Sequence, residues 1–363
     1  MSVRIVLDCE TDSFIAGSEI TGNVKIDLDK PHYARGLVVK LEGLAKLSWI
    51  EPYKTKLGLL RKFKFVKYSS EETYLTSKFY LVGHSTGRVY FPSGENVFKF
   101  KVSVPLHLPS SFEGGRGYVR YSISAFIDIP GKTEHEATSP ITIIMPRAPK
   151  EELMTTKAPV KKDVQKTIRR CSCLRSGNLS LQVSIPQKFF NLSETIPVII
   201  DMDNSSTSNV EKIDCKIEKR TEWVAQQPRN NSIVDSIVLV GIELDGVGPD
   251  ATKSYSVKLA IPGTPLINID NCSIISIVFV LKVAAFVKEP VQNLVAEIPL
   301  IILNPDESCT KYLENIKSTD EVVQTKNELG QSFGKNSMEK MHAQERAKKP
   351  LGKVTACSRQ SNL

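Results

Sequence analysis

From Val119 to Ile129 every second residue is apolar. Val119, Tyr121, Ile123, Ala125, Ile127 and Ile129 alternate with Tyr118, Arg120, Ser122, Ser124, Phe126 and Asp128. A period of two puts the two sets on opposite faces of an extended chain, so the stretch predicts a strand with one face in a core. The residues leading into it read as a turn. Pro105 and Pro109 preset φ, and Gly114, Gly115 and Gly117 permit backbone angles closed to other residues. The same alternation recurs at Val3–Leu7, at Leu37–Trp49, and at Phe98–Val104 against Lys99, Lys101 and Ser103. Tyr74–Val82 and Ile141–Met145 also read as strands. Short strands between Gly, Pro, Ser and Asn turns, without a helical period, predict an antiparallel sandwich.

The pattern breaks at residues 146–176, where Pro146, Pro149 and Pro159 stand among dense Lys and Arg. It then restarts with Leu179, Leu181, Val183 and Ile185, and continues through Val210–Trp223, Val234–Leu244, Tyr255–Ile261, Ile275–Val283 and Ala296–Leu303. Phe14 and Ser18-Glu19 in the first block match Phe189 and Ser193-Glu194 in the second at a constant offset of 175 residues. Each copy follows the first strand of its block, which predicts a duplicated architecture. The fold class expected is therefore all-β, with two immunoglobulin-like antiparallel β-sandwich lobes. Its parts are a first lobe at 1–146, a basic linker at 147–176, a second lobe at 177–305 and a flexible tail at 306–363.

Charge changes this picture locally. The net charge is +8 over 363 residues. Residues 54–67 hold Lys54, Lys56, Arg61, Lys62, Lys64 and Lys67 with no acid, and residues 147–175 carry a net charge of +6. Basicity concentrated in connecting segments suits contact with an anionic surface better than a nucleic-acid groove, and it equally suits solvated loops. No run of apolar residues reaches a membrane span, and residues 1–10 lack a signal-peptide pattern, so a cytoplasmic protein is expected.

Catalytic patterns do not emerge. His32, His84, His107, His135 and His342 have no partner at metal-ligand or triad spacing, and there is no nucleophile elbow, phosphate loop or dinucleotide fingerprint. No cofactor or metal is expected. The seven cysteines are odd in number and irregular in spacing, which argues against a disulfide framework. Cys171-Ser-Cys173 is too closely spaced for a zinc half-site and reads as structural or incidental.

Several motifs together resemble a known family. They include Phe14-Ile-Ala-Gly17-Ser-Glu19-Ile-Thr-Gly22-Asn-Val24, Glu72-Thr-Tyr74, and Leu108-Pro-Ser-Ser-Phe-Glu-Gly114 followed by Gly117-Tyr-Val-Arg120-Tyr121. In the second block they include Gly177-Asn-Leu-Ser-Leu181, Ile261-Pro-Gly-Thr-Pro265, Asn271-Cys272-Ser-Ile-Ile275 and Ile298-Pro-Leu300. The chain resembles the arrestin-domain-containing proteins, the α-arrestin branch of the arrestin superfamily. That resemblance implies two seven-stranded sandwiches and a non-enzymatic adaptor. Such an adaptor would be recruited peripherally to the plasma membrane or endosomes, bind receptor or transporter cargo, and link it to ubiquitin ligases or sorting machinery.

Two departures stand out. No Pro-Pro-x-Tyr motif is present, and Asn191-Leu-Ser-Glu194 lacks the glycine of the family's Gly-Glu pair. The cationic stretch Lys54–Lys67 is the expected membrane contact. Two other readings stay open. One is a redox-linked regulator resembling thioredoxin-binding members of the family, with Cys215 and Cys272 as its thiols. The other is a coat subunit like retromer's arrestin-shaped component.

Overall fold

The structure is a computed structural model and describes residues 2–9, 12–57, 60–130, 136–145, 158–171, 174–263, 269, 271–288 and 292–303. The expected tail at 306–363 and Cys173 lie outside the described residues.

The first lobe comprises β1 (Ser2–Leu7), β2 (Ser13–Ile15), β3 (Glu19–Leu28), β4 (His32–Ala34), β5 (Gly36–Leu57), β6 (Leu60–Gly83), β7 (Val89–Phe91), β8 (Gly94–Ser103), β9 (Phe112–Glu113), β10 (Gly117–Asp128) and β11 (Ala137–Ile144). The second comprises β12 (Val160–Cys171), β13 (Leu174–Ile185), β14 (Phe189–Asn191), β15 (Thr195–Ser206), β16 (Val210–Ala225), β17 (Asn231–Val247), β18 (Ala251–Ala260), β19 (Ile275–Val287) and β20 (Leu294–Leu303). All assigned elements among the described residues are strands.

In the first lobe a sheet ordered β1-β3-β8 packs over one ordered β2-β11-β10-β5-β6, and β9 is appended to β10. In the second, β12-β13-β15-β18 packs over β14-β20-β19-β16-β17. The alternation read at Val119–Ile127 holds, since Val119, Tyr121, Ile123, Ala125 and Ile127 are all buried. The second core is filled likewise by Leu179, Leu181, Val183, Ile213, Ile217, Phe279, Leu281 and Ile298. The seven long strands of the first lobe match the implied count, with short strands added around them.

The duplication holds in topology. β2 runs parallel to β11, pairing Phe14 with Ile143, and β14 runs parallel to β20, pairing Phe189 with Ile301. The turns that follow differ. Gly17 takes φ of 89° in the first lobe, whereas Ser193 takes φ of 62° in the second. The turn lacking the family glycine therefore places a serine in the left-handed region that glycine favours.

Two expectations need correction. The basic stretch 54–67 is not a loop. Leu57 pairs with Leu60, and the pairing runs back through Lys54↔Phe63 and Tyr53↔Lys64 to Gly36↔Gly83, making one long hairpin. The segment 147–176 is not a linker throughout. Val160–Cys171 is an outer strand of the second lobe, antiparallel to β13. Its lysines mask a strand whose Val160, Val164 and Ile168 turn toward the core while Lys161, Lys162 and Gln165 stay exposed.

The glycine-rich turn and its strand are tied together by Tyr121. The buried hydroxyl donates to the Pro109 carbonyl at 2.6 Å. The ring lies across Gly43 of β5, where an added Cβ would sit 2.3 Å from the ring. No larger residue fits at that position without displacing the tyrosine. Tyr121→Phe leaves the Pro109 carbonyl unpaired in the interior and is expected to cost about 1–2 kcal/mol, read as a lower urea midpoint at unchanged slope. Gly43→Ala should destabilise by a comparable or larger amount.

Candidate functional site: the hairpin arm and the seam at its base

β10 covers β5 only between Gly36 and Leu47. Beyond that point β5 and β6 continue as a two-stranded ribbon from Ser48↔Ser69 to Leu57↔Leu60. At about 3.3 Å per residue the ribbon reaches roughly 30 Å past the sheet. Cross-strand partners share a face, so Ile50, Pro52, Phe65 and Lys67 lie on one side and Tyr53 with Lys64 on the other. Phe65 is 75% exposed and Ile50 63% exposed, with Tyr53 also open to solvent. Lys64 and Lys67 are exposed beside them. Of the other sequence-predicted cations, Lys54, Lys56, Arg61 and Lys62 belong to the paired strands by backbone register, and their side chains lie outside the described residues.

The base of the arm is held by the second lobe. Trp49 and Tyr68 stack across the ribbon at 5.5 Å, and Trp49 Nε1 donates to Glu51 at 2.9 Å. Ser69 and Gln227 exchange two backbone hydrogen bonds of 3.0 Å, a strand-like bridge between lobes. The Gln226 amide donates to Ser70 Oγ at 2.8 Å, Arg229 donates to the Tyr68 hydroxyl, and Asn231 donates to Glu51. Further along, Glu72 accepts from both Tyr74 and Ser273.

Asp235 is the central acceptor of this seam. Arg116, in the turn of the first lobe, donates to it through Nε at 2.8 Å and Nη2 at 3.0 Å, and Trp223 Nε1 donates at 2.9 Å. The Arg116 hydrogen bonds hold the Asp235 carboxyl below its ordinary range; partial burial opposes this, and the Trp223 bond adds to it. Trp223 is buried and packs against Phe112. A Cβ on Gly114 would lie 2.5 Å from the Trp223 ring, so part of the glycine cluster exists to admit the indole. Sequence reading missed Arg116, Trp223 and Asp235. The signal available was a lone acid in the apolar run Ile233-Val-Asp235-Ser-Ile-Val-Leu-Val240 and a lone arginine among glycines.

The outward face of the second lobe carries a separate ion network. Glu218 is nearly buried, with Arg220 at 2.9 Å and Lys216 at 3.1 Å, and Arg220 also meets Glu297 at 2.6 Å. Burial works against the charge on Glu218, but hydrogen bonds from Arg220 and Lys216 prevail and lower its pKa. A cleft of about 560 Å³ opens beside it, lined in part by Glu222, Val234, Ser236 and Val278.

The two candidate thiols are apart and unlike. Cys215 is fully buried in the second core, and burial pushes its pKa up to about 12. Cys272 is half-buried at the seam. A thiol held neutral and out of solvent is a poor exchange partner, so the structure favours Cys215 as a packing residue. Among the described residues no cluster of His, Cys, Asp and Glu is suited to a metal ion, and no helix is long and apolar enough to cross a membrane.

Asp235→Asn keeps the shape but removes the anion. Because both partners are part-exposed, the expected cost at neutral pH is about 1 kcal/mol or less. A depressed carboxylate pKa stabilises above its unfolded value and loses that contribution as pH falls through the folded one. The gap between wild type and variant, measured by urea unfolding, should therefore close below about pH 4. Peptide-resolved alkylation of the native chain at pH 8 should modify Cys272 well before Cys215, and urea should abolish the difference.

The first lobe matches the family model described as "Arrestin (or S-antigen), N-terminal domain" over residues 3–148. The second matches "Arrestin (or S-antigen), C-terminal domain" over residues 175–307. Among curated proteins, the chain is 22% identical over 306 residues to "Arrestin domain-containing protein 15" of Caenorhabditis elegans, covering 79% of this chain and 75% of that protein. It is 22% identical over 318 residues to "Arrestin domain-containing protein 17" of the same organism, covering 82% and 69%. It is 23% identical over 310 residues to "Arrestin domain-containing protein 4" of Mus musculus, covering 83% and 71%. With both lobes matched in order and their sandwich topology in place, the chain belongs to the arrestin-domain family.

Proposed function

We propose that the protein is a non-catalytic adaptor that engages membrane-protein cargo while its hairpin arm rests on an anionic membrane surface. The observation that carries the reading is the arm. It is a ribbon anchored at its base by both lobes, with exposed Phe65, Ile50 and Tyr53 interleaved with Lys64 and Lys67. Apolar rings that would be unfavourable in water insert at the headgroup boundary, and the lysines beside them meet acidic lipids. Family membership supports the adaptor role, and the redox alternative is weakened by the burial of Cys215. Linkage to ubiquitination or endosomal sorting is part of the proposal.

Each well-placed Lys or Arg contributes about 1 kcal/mol to binding an anionic leaflet. Replacing Arg61, Lys62 and Lys64 together by Glu should lower partitioning onto phosphatidylserine vesicles by roughly a hundredfold or more, with little change on neutral vesicles. Sedimentation with liposomes reads this directly. Unchanged affinity for the anionic vesicles would sink the membrane role of the arm.

A further inference from the structure

The four principal sheets end in eight edge strands. Three residues suffice for β2 and β14, too short to template a partner. The longer edges carry basic residues: Arg4 on β1, Lys99 and Lys101 on β8, Lys161, Lys162 and Lys166 on β12, Lys253 and Lys258 on β18, and several lysines on β6. Charges of this kind discourage a free edge from pairing with another strand. β17 is the exception. It is 17 residues long, it is the last strand of its sheet, and it holds no Lys or Arg. It instead exposes Val234, Ile237, Val238 and Ile242, each between 45% and 61% accessible. Its one irregularity is a bulge opposite Ile217 and Glu218.

We propose that β17 is a strand-addition site for an extended, β-branched segment of a partner protein bearing basic residues at its ends. Every second backbone amide and carbonyl of an edge strand points away from its neighbour, so a partner segment gains main-chain hydrogen bonds and flanks the exposed valines and isoleucines. Val234 and Val238 lie opposite Glu222 and Glu218 on the outward face, beside the cleft that Val278 also lines. The partner's chemistry follows from charge. β17 carries Asp235, Glu243 and Asp245, and Glu222 beside Val234 has no ion pair among the described residues. Arg116 already neutralises Asp235, and Lys212 lies 2.6 Å from Glu243, whereas Asp245 is 94% exposed and only 3.8 Å from Lys253. A second copy of this strand would bring acids to acids, whereas a basic-ended segment meets Glu222 at one end and Asp245 at the other. This deepens the adaptor reading by naming a partner chemistry. It does not involve the arm, so its failure leaves the vesicle result standing.

The probe is a fluorescent peptide, Lys-Val-Ile-Val-Thr-Val-Thr-Val-Ile-Val-Ile-Lys, long enough to span the roughly 36 Å from Val234 to Asp245, titrated against the full chain by anisotropy. Its glutamate-ended counterpart is expected to bind about tenfold more weakly, and a version methylated on alternate amides should lose binding. Val234→Lys with Val238→Lys restores to this edge the guard that the others carry. Because both side chains are about half exposed, the fold should be retained, as checked by an unchanged urea midpoint, while affinity falls by about tenfold or more. Ile199→Lys, on an outward position of β15, adds charge elsewhere and should leave binding intact. Equal binding of the methylated peptide, or an equal loss with Ile199→Lys, would overturn the proposal. So would a concentration-dependent dimer that the double lysine variant dissociates, since the occupant would then be a second copy of the chain.

Discussion

A single carboxylate, that of Asp235, receives the guanidinium of the first lobe and the indole of the second. Much of the seam depends on it. Arg116 sits in a turn whose glycines partly serve to clear the Trp223 ring, so the turn, the indole and the acid are positioned together. Removing the acid would leave a part-buried arginine without its acceptor and an indole N–H without a partner, which costs more than the bond itself contributes. The arm is held by the same junction, since Ser48 donates to the Arg116 carbonyl at 2.8 Å. The position of the ribbon relative to the second lobe thus follows from a few polar contacts at its root.

The seam is not polar throughout. Trp223, Ala225, Ile274 and Ile275 of the second lobe join the buried cluster of the first. The hydrophobic interior of one sandwich therefore extends into the other, and the polar contacts add direction to an apolar junction that is not itself directional. A protein built this way presents two surfaces, the arm and the edge of β17, that meet at the seam, where Asn231 at the start of β17 donates to Glu51 at the root of the arm.

Much of the fold was legible because both lobes bury one face of each strand and so obey a period of two. Val119–Ile127 and Leu179–Ile185 are clear cases. The reading failed where charge and strand coincide. Lys161, Lys162 and Lys166 on β12 belong to an edge strand, and Lys62, Lys64 and Lys67 on β6 to the ribbon beyond the sheet, and their composition is that of a loop. The strict alternation of Phe63 and Phe65 with Lys62 and Lys64 was the available sign of a strand rather than a loop. The seam was hidden for another reason: Arg116 and Asp235 are 119 residues apart, and no local pattern announces a pairing between lobes.

The chain has two tryptophans, Trp49 and Trp223, and both belong to the junction, one stacked at the root of the arm and one bonded to Asp235. Emission excited selectively through the indoles is consequently a signal from that junction alone. The molecule carries its own unlabelled optical gauge of how its halves are joined.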